Sequence, residues 1–156
     1  MRIGMGYDAH RLVPNRKLIL GGIEIPHHLG LDGHSDADVL THAIIDALLG
    51  AAKLGDLGRN FPDNDETYRN ISSLQLLREA NHKLLSKGYS IINIDAAIVA
   101  QSPKLAPHIP EMEKAVAITL DIDTDSINIK ATTEEKMGFT GTNEGMAAHA
   151  VCLISL

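Results

Sequence analysis

The sequence contains little cysteine and few aromatic residues. Cys152 is its one cysteine, and it has three tyrosines, two phenylalanines and no tryptophan. A lone cysteine excludes an internal disulfide framework and any zinc site built from several cysteines, and it is typical of a reducing compartment. We therefore expect a cytoplasmic protein.

Positive charge and long apolar runs are also scarce. The chain has 14 Lys and Arg against 20 Asp and Glu, for a formal net charge of −6. A general nucleic-acid surface needs a basic field and aromatic stacking platforms, so we expect no nucleic-acid partner. Apolar stretches such as residues 115–120 are far shorter than the roughly 20 residues of a membrane span, and no leader precedes Arg2. We expect neither membrane insertion nor export.

The 156 residues are 44% hydrophobic, which predicts one domain over residues 1–156. At this length no structural metal is needed for stability, so any metal is a candidate for chemistry. Alternation over residues 1–8 and a second apolar run over 17–25 predict an opening β-hairpin. Helical spacing and strand patterns then follow in turn, with helices predicted from Ser35 to about 49, over 71–85 and over 110–120, and strands over 91–100, 126–131 and 146–156. The expected fold is α+β, a mixed sheet with helices packed on one side.

One candidate metal site combines a strand end with the first predicted helix. Asp8 and His10 are two residues apart and share one face of a strand, and His42 on a packed helix can supply a third ligand. Two imidazoles and a carboxylate suit zinc with an open fourth position. Asp38 and Asp46, each four residues from His42, are predicted to accept the free ring N–H of the histidine. Alternatively, His42 lies on a polar helix face and the other two residues belong to a turn.

Two further segments have features of phosphate sites. His34 and Ser35 stand at a predicted helix start, where backbone N–H groups attract anions, although Ser35 can equally be a plain N-cap. Thr132 and Thr133 follow a strand and can hold a phosphate, while Glu135 shares a cation with it. The alternative there is an ordinary polar strand exit before the glycine-rich loop at 138–145.

Two loops offer groups for the rest of a ligand. Asp56 in the loop at 55–65 can accept hydrogen bonds from vicinal hydroxyls, and the loop at 100–106 offers backbone groups and Lys104 to a base and its phosphates. Both can equally be ordinary connections, because Asp, Gly and Pro gather in loops for local reasons.

Six segments together carry a family resemblance over essentially the whole chain. They are Gly6-Tyr-Asp-Ala-His10, His34-Ser-Asp-Ala-Asp38, His42, Gly55-Asp-Leu-Gly58, Phe61-Pro-Asp-Asn-Asp65 and Lys130-Ala-Thr-Thr-Glu-Glu-Lys-Met-Gly-Phe-Thr-Gly141. In type, order and spacing they resemble the 2-C-methyl-D-erythritol 2,4-cyclodiphosphate synthase family of the non-mevalonate isoprenoid pathway. The resemblance implies a cytoplasmic bacterial enzyme, or one of the plastid stroma if a transit peptide has been removed.

The resemblance also implies a homotrimer with active sites between adjacent subunits. Asp8, His10 and His42 would bind zinc or another divalent ion, and Glu135 would bind Mg²⁺ or Mn²⁺ on the diphosphate. His34 and Thr133 would steady the phosphates in the transition state. The implied substrate contacts are Asp8, Ala9, His10, His34, Ser35, Asp56, Leu57, Gly58, Phe61, Pro62, Asp63, Asn64, Asp65, Ala100, Gln101, Ser102, Pro103, Lys104, Leu105, Ala106, Thr132, Thr133, Glu134, Glu135, Phe139 and Thr142.

The implied reaction is the cyclisation of 4-diphosphocytidyl-2-C-methyl-D-erythritol 2-phosphate with release of CMP. Thr142 stands where many members have arginine, so we expect no basic contact there. Two other hypotheses stay open at this point. One is a zinc phosphoesterase, which would yield a linear product, and the other is a metal-dependent module that binds nucleotides or isoprenoid diphosphates without turnover.

Overall fold

The computed structural model describes residues 1–62 and 64–156. Its strands are β1 Arg2–Pro14, β2 Leu18–Leu20, β3 Ile23–Ile25, β4 Leu29–Leu31, β5 Ser90–Val99, β6 Ile127–Thr132 and β7 Gly145–Ser155. Its α-helices are α1 Val39–Ala51, α2 Leu57–Asn60, α3 Ser73–Ser86, α4 Ile109–Leu120 and α5 Gly138–Gly141. Short 3₁₀ turns occupy Glu66–Tyr68, Ala106–His108 and Thr124–Ser126.

Five strands form one sheet in the order β4-β1-β7-β5-β6. β5 and β6 are parallel, and the other neighbouring pairs are antiparallel. Helices α1 and α4 pack against this sheet, and α3 packs against both helices. The predicted α+β fold with a mixed sheet is therefore confirmed.

The pairing at the start of the chain differs from the prediction. β1 pairs with the last strand, β7, from Arg2 opposite Ile154 to Arg11 opposite Gly145, and its end pairs with β4. β2 and β3 form a separate two-stranded hairpin with each other. Both central residues of that hairpin, Gly21 and Gly22, have positive φ angles, which a tight two-residue turn requires. A hairpin thus forms within the second run, and the predicted pairing of the two runs is wrong.

Two glycines bring α1 close to β1. A Cβ atom on Gly4 would lie 1.9 Å from the carbonyl oxygen of Ala47, and one on Gly6 would lie 1.9 Å from that of Ala43. The helix itself is buried on almost every side, between the sheet and α3. Only glycine at these two positions lets the helix backbone rest on the strand, and this places the start of α1 beside the middle of β1.

The opposite face of the sheet is apolar and exposed. Ile3, Met5 and Tyr7 on β1 are 73%, 67% and 47% exposed, and Val151 on β7 is 41% exposed. We call these four residues the open sheet face. In the part of the chain described here, no helix is both long enough and apolar enough to cross a membrane.

Candidate metal centre and active site

Three ligand atoms meet where β1 faces α1. Asp8 and His10 lie two residues apart on the strand face that is turned toward the helix, and His42 lies in the first turn of α1. The Asp8 Oδ2 atom is 2.9 Å from His10 Nε2 and 3.0 Å from His42 Nδ1, and the two ring nitrogens are 3.2 Å apart. The strand periodicity and the helix thus bring together the three residues that the sequence singled out.

This spacing fits a small divalent cation. In a tetrahedral zinc site with bonds of about 2.0–2.1 Å, neighbouring ligand atoms lie about 3.3–3.4 Å apart. The three separations here fall slightly below that value, so a modest expansion accommodates an ion. One carboxylate and two imidazoles leave a fourth position for a ligand oxygen, so the three residues form a candidate metal site.

Each histidine is held through its other ring nitrogen. His10 Nδ1 lies 2.6 Å from the carbonyl oxygen of Asp32, which can only accept, so His10 donates there and its Nε2 is the nitrogen that faces Asp8 and a bound cation. His42 Nε2 lies 2.8 Å from Ser73 Oγ and 3.2 Å from Ser35 Oγ. Asp32 and Ser73 were not predicted in these roles, because a backbone carbonyl has no sequence signature and Ser73 is 31 residues from His42.

The predicted partners of His42 are wrong. Asp38 is the N-cap of α1, and its carboxylate accepts hydrogen bonds from Thr41 N at 3.0 Å, Gly21 N at 3.0 Å and Gly22 N at 2.7 Å. Asp46 accepts from Leu57 N at 2.7 Å. Unpaired backbone N–H groups at a helix start and in a turn attract these carboxylates more strongly than an imidazole one turn away.

The same geometry corrects the start of the helix. Ser35 was one predicted N-cap, but α1 begins at Val39, four residues later. The Ser35 hydroxyl instead accepts from Ala37 N at 3.1 Å and contacts His42. Ser35 therefore belongs to the wall of the metal site.

The electrostatics of the cluster favour a charged carboxylate. Burial alone would raise the pKa of Asp8, but hydrogen bonds and the charges of His10 and His42 lower it to about 2. Burial also opposes charge on His10, yet its bonds to Asp8 and to the Asp32 carbonyl raise its pKa above the usual value. Asp8 is therefore an anionic ligand across the physiological pH range.

The three candidate ligands lie in a cavity of about 200 Å³, which we call the metal cavity. It is lined by Asp8, His10, Gly33, His34, Ser35, His42, Leu57, Phe61, Tyr68 and Leu76. His34, Ser35, Leu57 and Phe61 were among the predicted contacts, whereas Gly33, Tyr68 and Leu76 were not. Tyr68 lies in the 3₁₀ turn Glu66–Tyr68 and Leu76 lies in α3. In the sequence, the spacing of such apolar residues indicates only that they pack in the core.

An aromatic pair forms the outer wall of this cavity. The rings of Phe61 and Tyr68 meet edge to face with centroids 5.6 Å apart. Lys83 Nζ lies 5.0 Å from the Phe61 centroid and donates to Asn60 Oδ1 at 2.7 Å. The wall is thus an apolar surface supported from α3, suited to the carbon skeleton of a ligand.

The predicted sugar-binding loop lies beside this wall. Asp56 caps α2 by accepting from Arg59 N at 2.8 Å, and Asp65 accepts from Thr67 N at 2.9 Å. Gly58 lies in α2, while Pro62 and Asn64 follow it. Asp63 was also predicted to bind substrate, and it lies outside the described residues.

A second cavity, of about 320 Å³, collects most of the predicted cytidine-binding residues. It is lined by Ala100, Gln101, Pro103, Lys104, Leu105, Ala106, Ala131, Thr132 and Thr133. Ser102, also predicted here, donates to Asn143 Oδ1 at 2.9 Å, and Gln101 Oε1 accepts from Lys136 N at 3.1 Å. The cavity follows the ends of the parallel pair β5 and β6.

Within one chain the two cavities are separate. β1, which carries Asp8 and His10, and β6, which ends at Thr132, are three strand spacings apart in the sheet, about 14 Å. Thr133 lines the second cavity, and its hydroxyl donates to Glu135 Oε1 at 3.2 Å. The structure thus unites Asp8, His10, His34 and His42, but it does not bring Thr133 or Glu135 to them.

The predicted glycine-rich loop contains the short helix α5 instead. Glu134 accepts from the Thr140 hydroxyl, and the Thr142 hydroxyl donates to Glu144 Oε1 at 2.9 Å. Phe139 lines a third cavity, together with Ala9, His10, Arg11, Glu144 and Gly145. Local hydrogen bonds of threonine hydroxyls thus order a segment whose glycines indicated only a loop.

Comparison with known proteins identifies the family of this chain. Residues 1–155 match the YgbB family. The chain belongs to this family. Its YgbB-family relatives include the 2-C-methyl-D-erythritol 2,4-cyclodiphosphate synthase of Desulforamulus reducens, which is 60% identical over 154 residues, covering 99% of this chain and 98% of the relative.

Solved structures agree. A 2C-methyl-D-erythritol-2,4-cyclodiphosphate synthase in a CDP-bound form is 35% identical with a TM-score of 0.91, covering 99% of this chain and 100% of that one. The bifunctional IspDF from Campylobacter jejuni is 46% identical with a TM-score of 0.95, and the match covers 98% of this chain and 42% of that longer one. The YgbB-family fold and the predicted family resemblance are both confirmed.

Proposed function

We propose that this enzyme converts 4-diphosphocytidyl-2-C-methyl-D-erythritol 2-phosphate into 2-C-methyl-D-erythritol 2,4-cyclodiphosphate and CMP, a lyase step of non-mevalonate isoprenoid synthesis. The main support is the convergence of Asp8, His10 and His42 on one point, in a chain 60% identical over its length to a synthase of that name. The reaction needs two anionic phosphates brought together, and a cation held beside an apolar wall suits that task.

The bonds exchanged define what the protein must do. An oxygen of the 2-phosphate attacks the β-phosphorus, a new P–O–P bond closes an eight-membered ring, and the bond from that phosphorus to the CMP oxygen breaks. The nucleophile is part of the substrate, so no protein nucleophile is needed. Alignment of groups already in one molecule contributes on the order of 7–11 kcal/mol, which makes positioning a main source of rate.

The proposed ligands of zinc are Asp8, His10 and His42, and Glu135 is the proposed ligand of Mg²⁺ or Mn²⁺ on the diphosphate. Bound divalent cations supply neutralisation of phosphate charge. The carboxylate of Asp8, ionised at neutral pH, and the lone pairs of the two oriented imidazoles provide the donor set that zinc prefers. Glu135 is exposed, so its carboxylate, which accepts one hydrogen bond from the Thr133 hydroxyl, can also meet a hydrated ion.

His34 and Thr133 are the proposed phosphate-steadying residues. His34 lines the metal cavity, where its ring can donate to a phosphate oxygen, and Thr133 presents a hydroxyl at the mouth of the second cavity. The apolar wall of Phe61 would exclude water from the methylerythritol end, while Ala100 to Ala106 would hold the cytidine. Donors placed where charge develops lower the barrier most.

We further propose that the active site is completed between subunits of a homotrimer. The metal cavity, at about 200 Å³, is smaller than the roughly 300–1,000 Å³ typical of a ligand pocket, the second cavity, at about 320 Å³, is at the lower end of that range, and one chain keeps them apart. The open sheet face supplies an apolar surface for a second copy. As the family resemblance implies, the neighbour in such a trimer would contribute its Thr133 and Glu135 to the site that holds this chain's Asp8, His10 and His42.

The proposed location is the cytoplasm. The described chain contains one free cysteine, Cys152, which is buried, and burial raises the pKa of its thiol to about 11. Such a thiol is unreactive and suits a reducing compartment. The net charge of −6 supports a small-molecule partner rather than nucleic acid.

The test of the reaction is CMP release with phosphorus NMR of the products, before and after chelation and after zinc and magnesium are restored. We expect metal-dependent CMP together with a cyclic diphosphate. CMP with a linear product would instead show a phosphoesterase, and no CMP from folded, metal-loaded protein would show a binding module.

The test of the shared site is complementation between two inactive variants. His42→Ala removes the metal half and Glu135→Gln removes the phosphate half. In randomly mixed trimers whose sites each combine two subunits, about a quarter of sites keep both halves intact. We expect the co-expressed mixture to regain about that share of wild-type activity. A mixture as inactive as its parents would contradict the shared site.

A further inference from the structure

Behind the metal cavity, a hydrogen-bonded chain runs from a carboxylate through a hydroxyl to His42. The Ser73 hydroxyl donates to Asp36 Oδ1, and His42 Nε2 lies 2.8 Å from the same Ser73 oxygen. Ser73 is fully buried as the first residue of α3, and Asp36 is half-buried and lines a separate cavity. None of the predicted site contacts includes Asp36 or Ser73.

We infer that Asp36 and Ser73 are positioning residues, which orient His42 and keep its Nδ1 lone pair directed at the metal. The inference deepens the proposed function, because it rests on the metal site proposed there. The Asp36 carboxylate, which is joined to His42 by two hydrogen bonds through Ser73, would determine which ring nitrogen of His42 carries the hydrogen.

The direction of the chain follows from the donors around Asp36. Its carboxylate accepts from the Ser73 hydroxyl, from Ser73 N at 2.9 Å and from Asp38 N at 3.1 Å. An ionised carboxylate has only acceptors, so the single hydroxyl hydrogen of Ser73 is committed to it. The Ser73 oxygen can then only accept from His42, which places the ring hydrogen on Nε2 and leaves Nδ1 free toward Asp8.

Ser35 is the weaker of the two hydroxyl contacts. Its oxygen is 3.2 Å from His42 Nε2 and already accepts from Ala37 N at 3.1 Å. The Ser73 contact is shorter and is polarised by the carboxylate behind it. Removal of Ser73 therefore leaves His42 with a poorer partner, so the orientation and the tautomer of the ring are held more weakly.

The first experiment measures zinc affinity of Ser73→Ala by competition with a chromophoric chelator, with no turnover involved. Loss of a partner that orients a metal-bound histidine typically costs 10–100-fold in metal affinity, and we expect a loss in that range. In zinc-loaded protein, the His42 Nε2–H resonance should also exchange faster with water. Ser72→Ala is the matched control, because the neighbouring Ser72 hydroxyl makes no capping hydrogen bond, and it should leave both readouts unchanged.

A second variant, Asp36→Asn, tests the direction of the chain. An amide nitrogen at the Oδ1 position would face Asp38 N, and one at the Oδ2 position would face Ser73 N, so either placement leaves one backbone donor unpaired and weakens the hold on Ser73. Loss of the carboxylate charge also removes the acceptor that commits the Ser73 hydroxyl hydrogen, so that hydroxyl becomes free to donate to His42 Nε2. We expect zinc affinity to fall, in the same direction as in Ser73→Ala.

A merely structural role for these residues would lower the melting temperature and leave zinc affinity and Nε2–H exchange unaltered in the folded protein. That result in Ser73→Ala would overturn the inference, and it decides the matter even if Asp36→Asn does not fold. Failure of the proposed reaction is a different result. In that case the wild-type protein would bind zinc normally but would make no cyclic product.

Discussion

The metal cavity and the segment at residues 130–139 differ in how completely one chain orders their functional groups. His42 is only 7% exposed, and both histidines are held at their second ring nitrogen by protein oxygens. By contrast, every residue from 130 to 139 is exposed, including Thr133 and Glu135. The metal half is organised by contacts within the chain, whereas the phosphate half presents polar groups outward, as a surface that awaits a neighbour would.

The difference has a physical origin in the elements that carry each half. The candidate metal ligands lie on β1 and on a helix buried almost all round, so packing against that helix limits their rotamers. The proposed phosphate-binding residues follow the edge strand β6 and are ordered mainly by local hydrogen bonds such as Thr140 to Glu134. A site split in this way can be tested one half at a time.

The largest effect is expected from His42→Ala, which removes the metal half. Loss of a ligand should abolish measurable zinc binding, and loss of several kcal/mol of charge stabilisation corresponds to about 10³-fold or more in activity. The fold should remain, as circular dichroism can check. His82→Ala, at an exposed histidine on α3, is the control. Full zinc occupancy in His42→Ala would contradict the ligand assignment.

The next largest effect is expected from Met5→Glu on the open sheet face. A charge in an apolar interface between copies should prevent assembly, so activity should be lost while each monomer still binds zinc. Sedimentation velocity together with chelator competition measures both properties. Ile118→Glu, at a 69% exposed residue on α4, should leave the assembly intact. A monomeric Met5→Glu variant with wild-type activity would show that the site needs no neighbour.

Thr133→Val tests the phosphate half alone. Loss of one donor to developing phosphate charge should lower kcat by about 10²-fold with little change in KM, and zinc affinity should be that of wild type. Steady-state kinetics give the split, with Thr124→Val, at an exposed threonine elsewhere, as the control. An unchanged kcat would remove Thr133 from the mechanism.

Gly6→Ala tests how closely α1 must approach β1. The new Cβ would collide with the carbonyl oxygen of Ala43, so the helix must move, at a cost of about 1–3 kcal/mol in unfolding free energy. Because His42 moves with the helix, zinc affinity should fall too. Gly50→Ala, where a Cβ meets nothing within 4 Å, is the matched control. Urea denaturation and chelator competition give the two quantities.

The smallest effect on function is expected from Asp38→Asn. An amide nitrogen would oppose one of the N–H donors of Gly21, Gly22 or Thr41, which costs about 1–3 kcal/mol of stability, while zinc affinity stays unchanged.

The stability effect of Asp38→Asn should also depend on pH. Burial, and next the charge of Asp36, raise the pKa of Asp38 above 3.8. The stabilisation that a raised folded-state pKa supplies is fully present below pH 3.8, the unfolded value, and is lost as pH rises from there through the folded-state pKa. The stability difference between wild type and variant should therefore shrink with rising pH in urea titrations.

Much of the fold followed from local patterns. The helix over 71–85 is observed as Ser73–Ser86, and that over 110–120 as Ile109–Leu120, because apolar spacing and nearby glycine or proline mark such helices strongly. The pairing of β1 did not follow, because its partner β7 lies at the other end of the chain and no turn signal joins them. Strand pairing over that distance depends on the whole sheet.

The residues and their local patterns specify the chemistry that is available: a carboxylate and a histidine two residues apart on a strand, a histidine on an apolar helix, and hydroxyls with a carboxylate after another strand. Residue type and local periodicity are properties of short segments, so they can be read directly. The three-dimensional fold was needed to show that Ser73 rather than Asp38 or Asp46 contacts His42, and that Thr133 lies apart from the candidate metal ligands. Those outcomes depend on packing, which brings distant segments together, and on competition among the donors and acceptors that then meet.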